Sequence, residues 1–77
     1  MYDEVARKIL ERMGEKLVAR KSELIEYVKN NVKINPRDPS SVVTSVLKAL
    51  VQKGLITPVY ASETTFAITQ KGMKELR

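Results

Sequence analysis

Apolar residues return along the first part of the chain at helical spacing: Val5, Ala6, Ile9, Leu10 and Met13 share one side, and Arg7, Lys8, Glu11 and Arg12 take the other. Asp3 is placed to cap this helix and Gly14 to end it. The run KLVAR that follows is too short for a helix and reads as a single strand. SELIEYVKNN then sets Leu24, Ile25 and Val28 on one face, with Ser22 as N-cap and Asn30 and Asn31 as a stop. Next comes NNVKINPRD, where Asn-Pro and Asp-Pro steps exclude helix because a residue before proline avoids the α region, so this connection is a turn of several residues.

A third helix has both ends marked. Asp38 can accept orphan amide hydrogens, Pro39 stands at the first helical position where its missing N–H costs nothing, and Gly54 closes the helix in a left-handed conformation. Beyond it, LITPVYA and TTFAIT are rich in β-branched and aromatic residues and read as a hairpin with SET at the turn. Pro58, lacking an amide hydrogen, belongs on a sheet edge. Phe66 and Ile68 share a strand face and are expected to cover the third helix. Thr69 is placed to cap a last short helical turn that runs through Gly72. The sum is one α+β domain over residues 1–77: three helices, a C-terminal β-hairpin and a short last helical turn.

The third helix divides its faces cleanly. At about 100° per residue, Ser41, Thr44, Ser45, Lys48 and Gln52 fall in one arc of roughly 100°, and Val43, Val46, Leu47 and Leu50 lie opposite. A helix of this length spans about 22 Å, and short hydroxyl side chains let its backbone approach a duplex closely enough to enter the major groove. A plain solvated face would also be polar. Glu, Lys and Ala would stabilise such a face better than Ser and Thr, which points to a choice made for something other than helix stability.

Charge sharpens the picture. Of the 14 Lys and Arg and nine Asp and Glu, residues 16–53 hold eight basic against three acidic side chains, so the formal net charge of +5 is concentrated in the middle of the chain. A basic centre suits a polyanion, since each Lys or Arg that neutralises a phosphate releases condensed counterions. Composition also narrows the chemistry. Without Cys or His the chain has no thiolate or imidazole for nucleophilic catalysis, general-base catalysis or metal ligation, so an enzyme, a cofactor site and a metal site are not expected. Glu23 and Glu26, on a helix among lysines, read as solvated or ion-paired. Tyr2, Tyr27, Tyr60 and Phe66 are scattered over separate elements, so they read as core or rim packing instead of a base-stacking platform. The absence of long apolar runs and of a signal-like N-terminus indicates a soluble cytoplasmic protein without membrane contact. Abundant Lys, Arg and Glu with no Cys, His or Trp is compatible with a thermophilic source.

The order helix, short strand, helix, turn, capped helix and hairpin, together with LKALVQKGLI at the exit from the third helix and ITQKGMKEL after the hairpin, resembles the winged helix-turn-helix family over nearly the whole chain. The resemblance implies that Pro39 to Lys53 is a recognition helix, that Ser22 to Asn31 crosses above it, and that Leu55 to Thr69 forms the wing. It implies further that Ser40, Ser41, Thr44, Ser45 and Lys48, with Gln52 further along, meet the major groove of double-stranded DNA, and that Arg20, Lys21, Ser22 and Arg37 face phosphates. Such a protein is a small transcriptional regulator, here a monomer or weak homodimer, since no long dimerisation helix follows the wing. Two features depart from the family pattern. The wing tip ASETT carries Glu63 as its sole charge, so the wing is either silent or turned to a protein partner, and the turn VKINPRD is longer than in the simplest members. Since fold does not decide function, the alternative expectation is a protein-interaction adaptor or accessory subunit of a replication or transcription assembly using the same fold.

Overall fold

The computed structural model describes residues 2–33 and 38–77. Their elements run α1 (Tyr2–Lys16), β1 (Val18–Arg20), α2 (Lys21–Asn31), α3 (Pro39–Gln52), β2 (Ile56–Pro58), β3 (Thr65–Ile68) and α4 (Gln70–Glu75). The architecture is α+β, with four helices and a three-stranded antiparallel sheet in the order β1-β3-β2. Pro58 therefore stands on an edge strand, where its missing donor breaks no ladder.

The apolar stripes converge on one core. Val5, Ile9 and Met13 of α1, Leu24 and Val28 of α2, and Val43, Val46, Leu47 and Leu50 of α3 are buried together with Ala19, Ile56 and Phe66 from the sheet. The register explains the strand contribution. Ala19 faces Phe66 and Ile56 faces Ile68 across the ladders, so these side chains line the inner face, while Val18, Arg20, Thr57, Thr65 and Ala67 alternate onto the outer one. Arg12 lies 5.1 Å from the centre of the Tyr27 ring, a cation–π contact that ties α1 to α2 across the surface.

Several boundaries differ from the reading of the sequence, each for a packing reason. α1 continues through Gly14 to Lys16 and closes on Leu17, whose φ of 70° is left-handed and whose amide donates to the Met13 carbonyl at 2.7 Å. Gly14 serves packing instead: a Cβ there would stand 2.5 Å from Leu76 Cδ1, so the small residue makes room for the C-terminal helix. α2 begins one residue before Ser22, with Arg20 at the N-cap position and its amide donating to Glu23 Oε1 at 3.4 Å. The last segment is a six-residue helix, longer than a single turn. The hairpin reverses at Val59–Ser62 and not at SET: the Ser62 amide donates to the Val59 carbonyl at 3.2 Å, and Tyr60 and Ala61 both have positive φ, the signature of a type I′ turn. Asn-Gly would mark such a turn, whereas Tyr-Ala enters it against a cost on the order of 1 kcal/mol for each non-glycine residue. Phe66 lies beside α3, and Ile68, part-buried against the core, also adjoins Gly72 in α4.

The exit from α3 is the most constrained joint. Leu55 donates to the Leu50 carbonyl and Gly54 to that of Val51, each at 3.0 Å, with Gly54 at φ 76°; this is the Schellman pair of bonds. The Thr69 amide then donates to the Leu55 carbonyl at 3.1 Å, and its hydroxyl donates to the Gly54 carbonyl at 2.6 Å while accepting from the Gly72 amide at 3.1 Å. Gly72 is buried so closely that a Cβ would collide with the Leu55 carbonyl oxygen and crowd Ile68. Gly72→Ala is expected to lower stability by about 1–3 kcal/mol, as overpacking does, despite alanine's better helix propensity. Urea denaturation checks this; an unchanged or raised midpoint would show that α4 is free to move away from the joint.

Candidate functional site

α3 presents a polar ridge between two hollows. Its N-terminus is fixed by Asp38, whose Oδ1 accepts from the Ser41 amide at 3.0 Å, with Pro39 in the first turn. Its buried stripe pins the opposite face against α1 and α2. The rotation of the helix about its axis is therefore determined by the core, and Ser41, Ser45, Lys48 and Gln52 emerge exposed along the crest, with Ser40 exposed in the first turn. Thr44 is half-buried at the margin, where its hydroxyl donates to the Ser40 carbonyl at 2.8 Å and keeps its lone pairs available as acceptors.

On one side of the ridge lies a cleft of about 670 Å³ between α3, the start of α2 and the hairpin. Thr44, Lys48 and Gln52 form one wall, Lys21 stands at the α2 end, and Ser62 and Glu63 form the facing wall. The Lys21 amide donates to the Thr64 carbonyl at 2.7 Å, which holds the descending arm of the hairpin against α2 and fixes the width of the cleft. Its floor is apolar: Leu47, Val51, Pro58 and Phe66. Ser45 belongs to the other flank, beside a smaller hollow of about 380 Å³ shared with Asp3 and Ala6 of α1 and with Ala49 and Lys53.

The groove-facing and phosphate-facing candidates are thus only partly assembled. Lys21, Thr44, Lys48 and Gln52 are gathered at one cleft; Ser40, Ser41 and Ser45 occupy the crest and far flank of the same helix. Arg20 is exposed but sits opposite Thr65 on the outer face of the sheet, away from the Phe66 side that floors the cleft. Ser22 is exposed on the first turn of α2, outside the lining of the cleft, and Arg37 lies outside the described residues. The apolar floor did not stand out in the sequence because Leu47 and Val51 fit the amphipathic stripe equally well; the signal available was that Val51 lies at the stripe's margin, about 90° from its centre.

Electrostatics leave the ridge cationic. Among the described residues, ion pairs run only along α1, at Arg7–Glu11 (3.3 Å), Lys8–Glu11 (4.0 Å) and Arg12–Glu15 (3.5 Å), so that helix largely neutralises itself at its surface. Glu23 is engaged with the Arg20 amide, and among the described residues no three acidic side chains are grouped so as to hold a metal ion. Lys71 reaches back to donate to the Lys53 carbonyl at 2.9 Å, placing a positive charge where the last carbonyls of α3 are negative. Among the described residues no helix is long and apolar enough to cross a membrane.

Comparison with known protein families, characterised proteins and solved structures finds no match to this chain. The site is therefore defined by its own geometry. Since Asp38 sets where α3 begins, Asp38→Ala is expected to cost about 1 kcal/mol and to fray the Ser40–Ser41 turn first. Amide hydrogen exchange should show faster exchange at Ser41 with little change at Leu47; uniform protection would mean that Pro39 and the core alone hold the helix start.

Proposed function

We propose that this chain is a winged helix-turn-helix domain that binds double-stranded DNA, with α3 as the recognition helix in the major groove and β2–β3 as the wing, in the manner of a small transcriptional regulator. The observation that carries this reading is the uncovered ridge of α3: Ser41, Ser45, Lys48 and Gln52 are all exposed on a helix whose orientation the core fixes. Hydroxyl and amide groups there match base-edge donors and acceptors, Lys48 suits guanine or a phosphate, and a 14-residue helix of about 21 Å fits along the groove. Phosphate contact falls to Lys21 beside the cleft; Arg20, on the outer face of the sheet, and Ser22, outside the lining of the cleft, stand away from it.

A second reading has an observation of its own. The cleft beside α3 has an apolar floor of Leu47, Val51, Pro58 and Phe66, and Glu63 on its wall would repel a phosphate. Those features favour a peptide of a partner protein, which would make the domain an adaptor or accessory subunit.

Duplex binding measured by fluorescence anisotropy across a salt series separates the two. If Lys48 and Lys21 each neutralise one phosphate, log K falls with log salt at a slope of about −1.8. A flat slope rejects phosphate contact and leaves the adaptor. Lys48→Glu is expected to weaken binding by tenfold or more, on the order of 1–3 kcal/mol, while the fold, in which this exposed side chain takes no part, stays intact by circular dichroism. Unaltered affinity would mean that α3 is not the reading element.

A further inference from the structure

Tyr60, expected from the sequence to pack in the core or at its rim, is instead exposed over 78 % of its accessible surface. It stands at the summit of the hairpin, at φ 60°, in a position that asparagine or glycine fills with less strain. The turn beneath it is well braced. Ser62 donates to the Val59 carbonyl, Val59 donates to Thr65 at 3.0 Å, and the Thr64 amide donates to Ser62 Oγ at 3.1 Å. A bulky aromatic residue is thus held rigidly outward in a conformation that disfavours it, and with most of its surface open to solvent its ring contributes little to the fold. A local rule broken without a structural gain points to a role outside the fold.

The chemistry of the tip restricts what the ring can meet. From Val59 to Thr64 there is no cation, and Glu63 is the one charged residue, so the tip gains nothing from the DNA backbone. A phenol ring does gain from the flat face of a nucleobase, whatever its sequence. In the interior of a duplex those faces are already occupied by neighbouring bases, whereas an unpaired base can turn its face to the ring. The tip also lies close to the proposed groove-binding ridge, because Ser62 and Glu63 form the wall of the cleft that faces Thr44 and Lys48.

We infer that Tyr60 stacks on an unpaired base next to the duplex held by α3, so that the protein prefers DNA with a duplex to single-strand junction over uninterrupted duplex. This inference rests on the duplex-binding reading above. It is tested with the full chain and three labelled probes of shared sequence: a blunt duplex, the same duplex ending in two unpaired thymine tails, and the single strand alone. The forked probe is expected to bind about tenfold more tightly than the blunt duplex, the effect of one stacked base. Tyr60→Ala and Tyr60→Asn should abolish that difference while leaving blunt-duplex affinity unchanged, and Tyr60→Phe should retain it. Asparagine suits the turn's backbone, so its loss of preference is not a loss of fold. A 2-aminopurine at the first unpaired position should be quenched by the natural protein and not by Tyr60→Ala. Equal affinity for fork and blunt duplex, or a fork preference that survives in Tyr60→Ala, overturns the stacking role with duplex binding intact. Failure to bind any of the three probes overturns the duplex reading itself, and this inference with it.

Discussion

The contact on which the arrangement of this domain most depends is the one between the buried backbone of Gly72 and the carbonyl of Leu55, reinforced by Thr69. α3, β2 and α4 meet there within a few residues. The Thr69 hydroxyl serves twice, donating to Gly54 and capping α4, and Leu55 has both its backbone groups engaged. Because the polar groups at this crowded point are satisfied mutually, the start of the hairpin is held in a fixed relation to the end of α3. The cleft between helix and hairpin inherits that relation, so its shape is set by a joint at the opposite end of the helix from Asp38.

α3 is held independently at its other end and along its length. The Asp38 cap defines where the first turn begins, and the buried stripe of Val43, Val46, Leu47 and Leu50 sets which way the helix faces. With both ends and the rotation fixed, the backbone that carries these Ser, Lys and Gln side chains is preorganised, which under the proposed function lowers the cost of contact. The two hollows on either side turn that display into a ridge. Of the two, the cleft toward the hairpin joins cationic and carboxylate groups over an apolar floor.

The hairpin follows a different logic from the helices. β3 is central and anchored on both sides, whereas the tip projects beyond the core on a turn whose backbone is strained at Tyr60 and Ala61. Strain of this kind persists only where neighbouring bonds over-determine the conformation, as the Val59, Ser62 and Thr64 bonds do here. Leu17 offers a second case: it is left-handed and 56 % exposed, but its backbone closes α1 and its carbonyl accepts from Ile68, so its conformation has a structural use that its side chain does not share.

Much of the fold was legible in the chain because it is locally encoded. The stripe from Val5 to Met13, the Asp38-Pro39 start and Gly54 end of α3, the edge position of Pro58 and the Thr69 cap are each decided by residues within a few positions of one another, where periodicity, missing donors and capping chemistry act directly. The polar arc of α3 was legible for the same reason. What the sequence could not settle were matters decided by distant neighbours: that Gly14 leaves space for Leu76 instead of ending a helix, that Ile68 meets α4, that the turn falls on Tyr60-Ala61 without glycine or asparagine, and that Leu47, Val51, Pro58 and Phe66 floor a cleft. Local signals state what a segment prefers. Only the closing of the chain around one core decides which preference is overruled, because packing and mutual hydrogen bonding between segments far apart in sequence outweigh the fraction of a kilocalorie to about 1 kcal/mol by which one residue favours one local conformation.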